Sequence, residues 1–397
     1  MVSPISVSVE ARPPARIPAS PLTVIMVVPK VDTVPTVDLT IGAPAGELTE
    51  ITAANVTTQL SAIPSASAAT QTGVARAAYD LIEATAAVRV FVLPFAASGG
   101  AATAGAARAA AIAGAIKAAL DDPVQRGKLP ETTGVDIIVV PREVGLASQA
   151  PAIVGQLKTS CAALECIAIV DAGDSGAAAD ARPASDKPDA ASVKTWSATN
   201  GGIAIYGVSN RGDVADYNGM WGSVIMTAHH ARWASSEGVG TSPYDLVHEL
   251  AGVGTITPGR ILDLQDGSSE AVAMDRDDEV SSLVTHAGVH YIWGGRSNAG
   301  GASDPREIIA NHAVVNRSVK IARGIASRVV RRRATANRLQ SLRVDIERAV
   351  AGAYVPDALR SIEAATPVLT GNSLRVPFDL RFWTHIDSVS LVAEVYI

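Results

Sequence analysis

The chain opens on a period-two pattern. Ile5, Val7 and Val9 alternate with Ser6 and Ser8, which is strand spacing. Residues 11–21 then hold four prolines, which neither a helix interior nor a central strand accepts. A short alternating strand on a proline-rich tether predicts an arm that pairs at a distance. From 23 to 170, apolar runs of strand length alternate with longer helical patterns. Val24–Val28, Val88–Phe95, Val135–Val140 and Cys166–Val170 read as strands, and Val74–Ala87, Ala102–Leu120 and Ser148–Leu164 as helices. Strands joined by helices of this length predict βαβαβ connectivity and an α/β unit with a largely parallel sheet. The Ala-, Asp-, Ser-, Gly- and Pro-rich stretch 172–200 reads as a surface loop. A strand over Gly202–Tyr206 and a helix over Gly219–Ala234 follow. Residues 254–276 look irregular, Val280–His286 reads as helical, and His290–Trp293 as a short strand. The Gly-rich run Gly294–Gly301 after it reads as a surface loop.

The last hundred residues differ in character. Asp304-Pro305 places a proline at the favoured first position of a helix that runs to about Arg333. Val315, Val319, Ala322, Ala326 and Val329 form its apolar stripe. Arg317, Lys320, Arg328 and Arg331 fall opposite that stripe at 100° per residue. A second helix, about Ala336–Ala351, aligns Leu339, Leu342, Ile346 and Val350. Leu374, Val376, Phe378, Leu380 and Phe382 then alternate with Arg375, Pro377, Asp379 and Arg381. Val389, Leu391, Ala393, Val395 and Ile397 alternate in the same way. The chain therefore ends in strands.

Charge sharpens this picture. Residues 306–348 carry eleven Lys and Arg against three acids, a net of +8 in a chain of 397 residues whose formal net charge is −6. Aromatic residues are absent from that basic stretch, so base stacking has no platform; an acidic protein fits it better than nucleic acid. No apolar run approaches the roughly 18–20 residues that span a bilayer, and the proline-rich start does not read as a secretory leader. Stable membrane binding is not expected. The only two cysteines, Cys161 and Cys166, are too few for a disulfide scaffold and wrongly spaced for CxxC chemistry; they read as buried small hydrophobes. GxxxxGK[ST], HExxH and GxSxG are all missing. His229-His230 are adjacent and cannot point one way on a helix. Asp121-Asp122 and Asp277-Asp278 sit where helix caps are expected. No catalytic, cofactor or metal site emerges, and the chain does not read as an enzyme.

The order of landmarks resembles the tail sheath proteins of contractile-tailed phages and related contractile injection devices. Gly219-Met220-Trp221-Gly222-Ser223 leads into a helix carrying His230-Ala231-Arg232-Trp233, followed by Thr241-Ser242-Pro243 and Gly252-Val253. Ala287-Gly288-Val289 precedes Tyr291-Ile292-Trp293-Gly294-Gly295-Arg296-Ser297, where the family commonly reads tryptophan-glycine-x-arginine-threonine. Asp304-Pro305, the long arginine-bearing helix and the terminal strand pair complete the series. Ser297 replaces the usual threonine, and 196–206 lacks a proline-aromatic dipeptide often found there. The absence of large insertions matches the short, minimal members.

The resemblance implies a two-domain subunit. An N-terminal arm, 1–22, would join the inner domain. An outer α/β domain would span 23–275, an inner α+β tube-facing domain 276–385, and a C-terminal arm 386–397. Such subunits stack as sixfold rings around an inner tail tube, and contraction drives the tube through a target envelope. Partners would be further copies of the chain, the tube protein, and baseplate and terminator proteins. The site of action would be a virion tail assembled in the host bacterial cytoplasm. Ile5, Val7, Val9, Val389, Leu391, Ala393 and Val395 would carry the inter-subunit arms, and Arg317, Lys320, Arg328 and Arg331 would meet the tube. The alternatives are another tail or baseplate structural protein, or an α/β enzyme whose site no motif betrays.

Overall fold

The computed structural model describes residues 21–30, 41–60, 79, 82, 88–96, 105–130, 134–141, 143–145, 150–171, 203–206, 212–214, 217–220, 222–250, 256–257, 262–263, 272, 275, 280–296, 308–327, 335–355, 358–370, 373–382 and 389–396. Ile5, Val7 and Val9 lie outside these residues.

The chain is a mixed α/β protein built on a mostly parallel sheet. Strand β1 (Leu22–Pro29) is buried along all eight residues, as expected of a strand covered on both faces. It pairs in parallel with β3 (Val88–Phe95) on one side and β4 (Ile137–Val140) on the other. Helix α2 (Ala106–Asp121) carries the chain from β3 to β4, and α4 (Ala150–Leu164) from β4 to β5 (Ile167–Asp171). Between them, Asp122 caps the one-turn α3 (Pro123–Arg126) by accepting from the Val124 N–H at 2.8 Å, the role read for the aspartate pair. Beyond β5 the sheet continues in parallel through β6 (Ile203–Tyr206), β11 (Val280–His286) and β10 (Leu262–Asp263). At the other end β2 (Thr49–Ile51), just before the one-turn α1 (Val56–Gln59), pairs antiparallel with β3. The short strands β7 (Gly212–Val214), β8 (Tyr217–Met220) and β9 (Ile256–Thr257) form a separate small sheet.

Residues 280–286 differ from the sequence expectation. They form a strand, hairpinned to β12 (Val289–Trp293), rather than a helix. Ala287 at φ 50° and Gly288 at φ 81° make the two-residue turn, the left-handed pair that matches strand twist. Both strands belong to the large sheet. A boundary at 276 therefore falls inside that sheet, and the first hydrophobic core extends through Ile292 to Ile309.

The second core is a four-stranded antiparallel sheet covered by two helices. Alternate residues of β15 (Ser373–Phe382) are buried, from Leu374 to Phe382. It pairs with β13 (Leu359–Ala364), β14 (Val368–Thr370) and β16 (Val389–Tyr396). Helix α7 (Ala336–Tyr354) buries Leu342, Ile346 and Val350, and Thr335 caps it through the Arg338 N–H. Helix α6 (Ile309–Ser327) buries Val315, Val319, Ala322 and Ala326 in the same core. Both stripes follow the predicted helical spacing. Helix α6 also touches the first core through Ile309, so it lies between the two.

Candidate functional site

The contact between the cores contains a buried polar cluster. Helix α6 carries Arg317 and Lys320 opposite its apolar stripe, and these residues were expected to face a channel. Within this chain the face opposite the second core is covered by the first, so neither side chain stands free on the surface. Arg317 donates from Nε to Asp136 Oδ1 at 2.9 Å and from Nη2 to Oδ2 at 2.7 Å. Lys320 donates to the Val135 carbonyl and sits 3.7 Å from Asp136 Oδ1. The side chains of Arg317, Lys320 and Asp136 are 8, 10 and 9% exposed. Arg328 and Arg331 lie outside the described residues.

Asp136 immediately precedes β4, so the parallel sheet fixes it. Its Oδ2 also accepts from the Thr23 N–H at 2.8 Å, where β1 begins. One turn along α6, Arg323 pairs at 2.7 Å with Glu165, a left-handed residue (φ 52°) in the turn between α4 and β5. Burial raises Glu165 above the usual carboxylate range, against the pull of Arg323 and Lys320. The Arg317 guanidinium is held protonated: burial works against its charge, and Asp136 outweighs burial. Tyr354 of α7 faces the same guanidinium, and burial pushes its hydroxyl up to about 12. A bidentate, desolvated arginine–carboxylate pair is a strong and directional contact. Sequence reading missed Asp136 and Glu165. The one local signal was an acid directly before a fully apolar strand.

Helix α5 (Gly222–Ser236) and the strap 237–248 close the seam from the side. Asp171, at the end of β5, caps α5 by accepting from the Ser223 N–H at 2.9 Å and its Oγ–H at 2.7 Å. The strap packs Gly240 so closely on the second core that a Cβ there would lie 2.1 Å from the Ala358 Cβ. Its Tyr244 hydroxyl meets His230 Nδ1 at 3.0 Å, with the two rings stacked. His229 Nε2 meets the Pro243 carbonyl at 2.6 Å. Burial lowers both His229 and His230 to about 4. His248 behaves oppositely. Burial lowers it, but bonds from Nδ1 to Asp245 and from Nε2 to Glu237 outweigh that and raise it.

The glycine run after β12 is packed at its start, unlike the surface loop expected. Gly295, at φ +78°, lies against Tyr244, where a Cβ would come within 2.2 Å of the ring. Its N–H donates to Ser281 Oγ at 2.9 Å, and Arg296 pairs with Asp275 at 3.0 Å. Residues 297–301 lie outside the described set. Cys161 and Cys166 are buried, as read from the sequence, and mutual hydrogen bonding with burial raises the Cys161 thiol. Among the described residues no group of three His, Cys, Asp or Glu could hold a metal ion. No described helix is long and apolar enough to cross a membrane.

The C-terminal strand is paired within its own chain. The register sets Val389, Leu391, Ala393 and Val395 opposite Leu380, Phe378, Val376 and Leu374 of β15, all four of which are buried. The far edge of β16 has no strand partner among the described residues. At the opposite side of the sheet β14 exposes Val368 and Leu369.

This architecture, a parallel-sheet unit joined through one helix to a four-stranded antiparallel unit, is similar in fold to chains of contractile injection systems and to a sheath tail protein. The similarity covers 100% of this chain and 94% of a chain from an extracellular contractile injection system, the PVC sheath complex in its contracted state, with TM-score 0.59 and 11% identity. The sheath tail protein from Desulfitobacterium hafniense matches over 99% of this chain and 100% of its own, with TM-score 0.56 and 8% identity. A chain of the sixfold-symmetrised anti-feeding prophage baseplate matches over 100% of this chain and 96% of its own, with TM-score 0.55 and 12% identity. No family model matches the sequence, and no curated protein matches it.

Proposed function

We propose that this chain is the repeating structural subunit of a contractile sheath. It would stack as sixfold rings around an inner tail tube and shorten to drive that tube through a target envelope. The observation that carries the reading is the match, over all of this chain and 94% of the other, to a chain of a contracted sheath complex. Energy would reside in subunit packing, and the chain would catalyse no reaction. Its partners would be copies of itself, the tube protein, and baseplate and terminator proteins, in a virion tail assembled in a bacterial cytoplasm.

Rings would be linked by strand exchange. In the isolated chain β16 lies on its own β15; in the assembly it would leave and take the same register on a neighbour's β15. Backbone hydrogen bonds supply such an attachment without new chemistry. The arm around Ile5, Val7 and Val9 would add a further strand. For the tube contact we retain Arg328 and Arg331, since Arg317 and Lys320 are engaged by Asp136.

Asp379→Cys combined with Ser390→Cys tests the exchange, because these residues are directly opposed in register. Oxidation of assembled protein should give a ladder of covalent oligomers on a non-reducing denaturing gel. Monomers alone would mean that β16 stays at home and would remove the exchange. The baseplate similarity favours a second reading, in which the chain forms one closed ring at the tail base. That ring would be uniform in size rather than an open-ended tube.

A further inference from the structure

The seam between α6 and the parallel sheet is buried yet poorly satisfied. Thr23 Oγ1 and Asn316 Nδ2 are buried there without a hydrogen-bond partner. A permanently packed interface seldom leaves buried polar atoms orphaned. A void large enough for about one water lies in the same seam. Asp136, Glu165, His230, Val239 and Asn316 line it, together with apolar residues of β1, β4, β5 and α6.

We propose that this seam is a two-state latch: Asp136 holds α6 against the sheet, and protonation of His230 releases it. The titratable and charged groups around His230 are Asp136 before β4, Glu165 across the shared void, Arg317 on α6, His229 on its own helix and Tyr244 on the strap. Closed, the neutral ring meets Tyr244 and adds no charge beside the Arg317–Asp136 pair. An imidazolium there is a second cation next to Arg317, and it competes for the single carboxylate that Arg317 and Lys320 already share. Its Nδ1–H donates to the Tyr244 hydroxyl oxygen, so the strap contact persists and the strain falls on the Arg317–Asp136 pair. The orphaned Asn316 amide and Thr23 hydroxyl gain water when the seam opens, which lowers the cost of opening. The latch belongs to the single subunit and does not depend on the assembly proposed above.

Hydrogen exchange of the full-length chain, resolved by peptide and corrected for the intrinsic pH dependence of exchange, tests this. Between pH 7 and pH 4, peptides of α6 should lose protection at least tenfold while β4 and β5 keep theirs. His230→Gln, which cannot become charged, should hold α6 at pH 4 within about twofold of its pH 7 protection. Loss of protection in α6 and β4 together in the unmodified chain would overturn the latch. So would a His230→Gln variant that opens as the unmodified chain does. If that variant fails to fold, Asp136→Asn decides: α6 should already exchange at least tenfold faster at pH 7. Unchanged exchange of α6 in Asp136→Asn would refute the proposal.

Discussion

Removing the carboxylate of Asp136 should cost far more than a surface ion pair. In Asp136→Ala the Arg317 guanidinium loses its 2.7 and 2.9 Å bonds to the carboxylate and keeps the 3.4 Å bond from Nη2 to the Pro21 carbonyl, while remaining enclosed. Removing the counter-ion of such a buried charge costs about 3–5 kcal/mol, and the Thr23 N–H loses its acceptor for about 1 kcal/mol more. Arg317→Met should be milder, about 2–3 kcal/mol, because Lys320 and the Thr23 N–H still attend the carboxylate. The double variant should cost less than the sum by about 2–3 kcal/mol, since the second change removes a charge already orphaned. Urea unfolding followed by circular dichroism reads each value by linear extrapolation. Asp136→Ala should also split the transition, because the seam it breaks joins two separate cores. Single variants that each cost under about 1 kcal/mol and simply add would refute the reasoning. Arg317→Glu, harmless were this face exposed, would place a second carboxylate beside Asp136 and should abolish stable folding of α6.

Gly295→Ala should destabilise the chain by at least about 2–3 kcal/mol, since the new Cβ meets the Tyr244 ring at a positive φ; a thermal melt unchanged within 1 °C would refute this. Ala287→Gly should stabilise by about 1 kcal/mol, because it relieves a left-handed alanine in an exposed turn, and the same urea titration reads it. Stability should also depend on pH in two windows. His229 and His230 are depressed to about 4, so their contribution is complete above about 6.5 and is lost as pH falls toward 4. His248 is raised, so its contribution is complete below about 6.5 and is lost as pH rises through its folded value. His248→Gln should abolish the alkaline loss and spare the acid one.

Most of the fold is written in local pattern. The apolar run of β1, the alternation of β15 and the stripes of α6 and α7 each name an element, because burial on one or both faces dictates their period. Residues 280–286 misled because seven residues with Val280, Leu283 and Val284 satisfy helical and strand spacing alike. The deciding signal was the Ala287-Gly288 turn that follows. The basic face misled for a different reason. Helical angles place Arg317 and Lys320 opposite the apolar stripe, but they do not say what covers that side. The cover is Asp136, 181 residues before Arg317, and no periodicity links two residues so far apart. The C-terminal strand was legible as a strand. Its partner was not, since alternation states which face is apolar and not whose sheet receives it.

Cryo-electron microscopy of the purified chain tests the sheath assignment most directly. The account predicts hollow, open-ended tubes of stacked sixfold rings in which residues 389–396 of one subunit lie on β15 of another. Compact oligomers of uniform size, with β16 of every copy paired to its own β15, would contradict it.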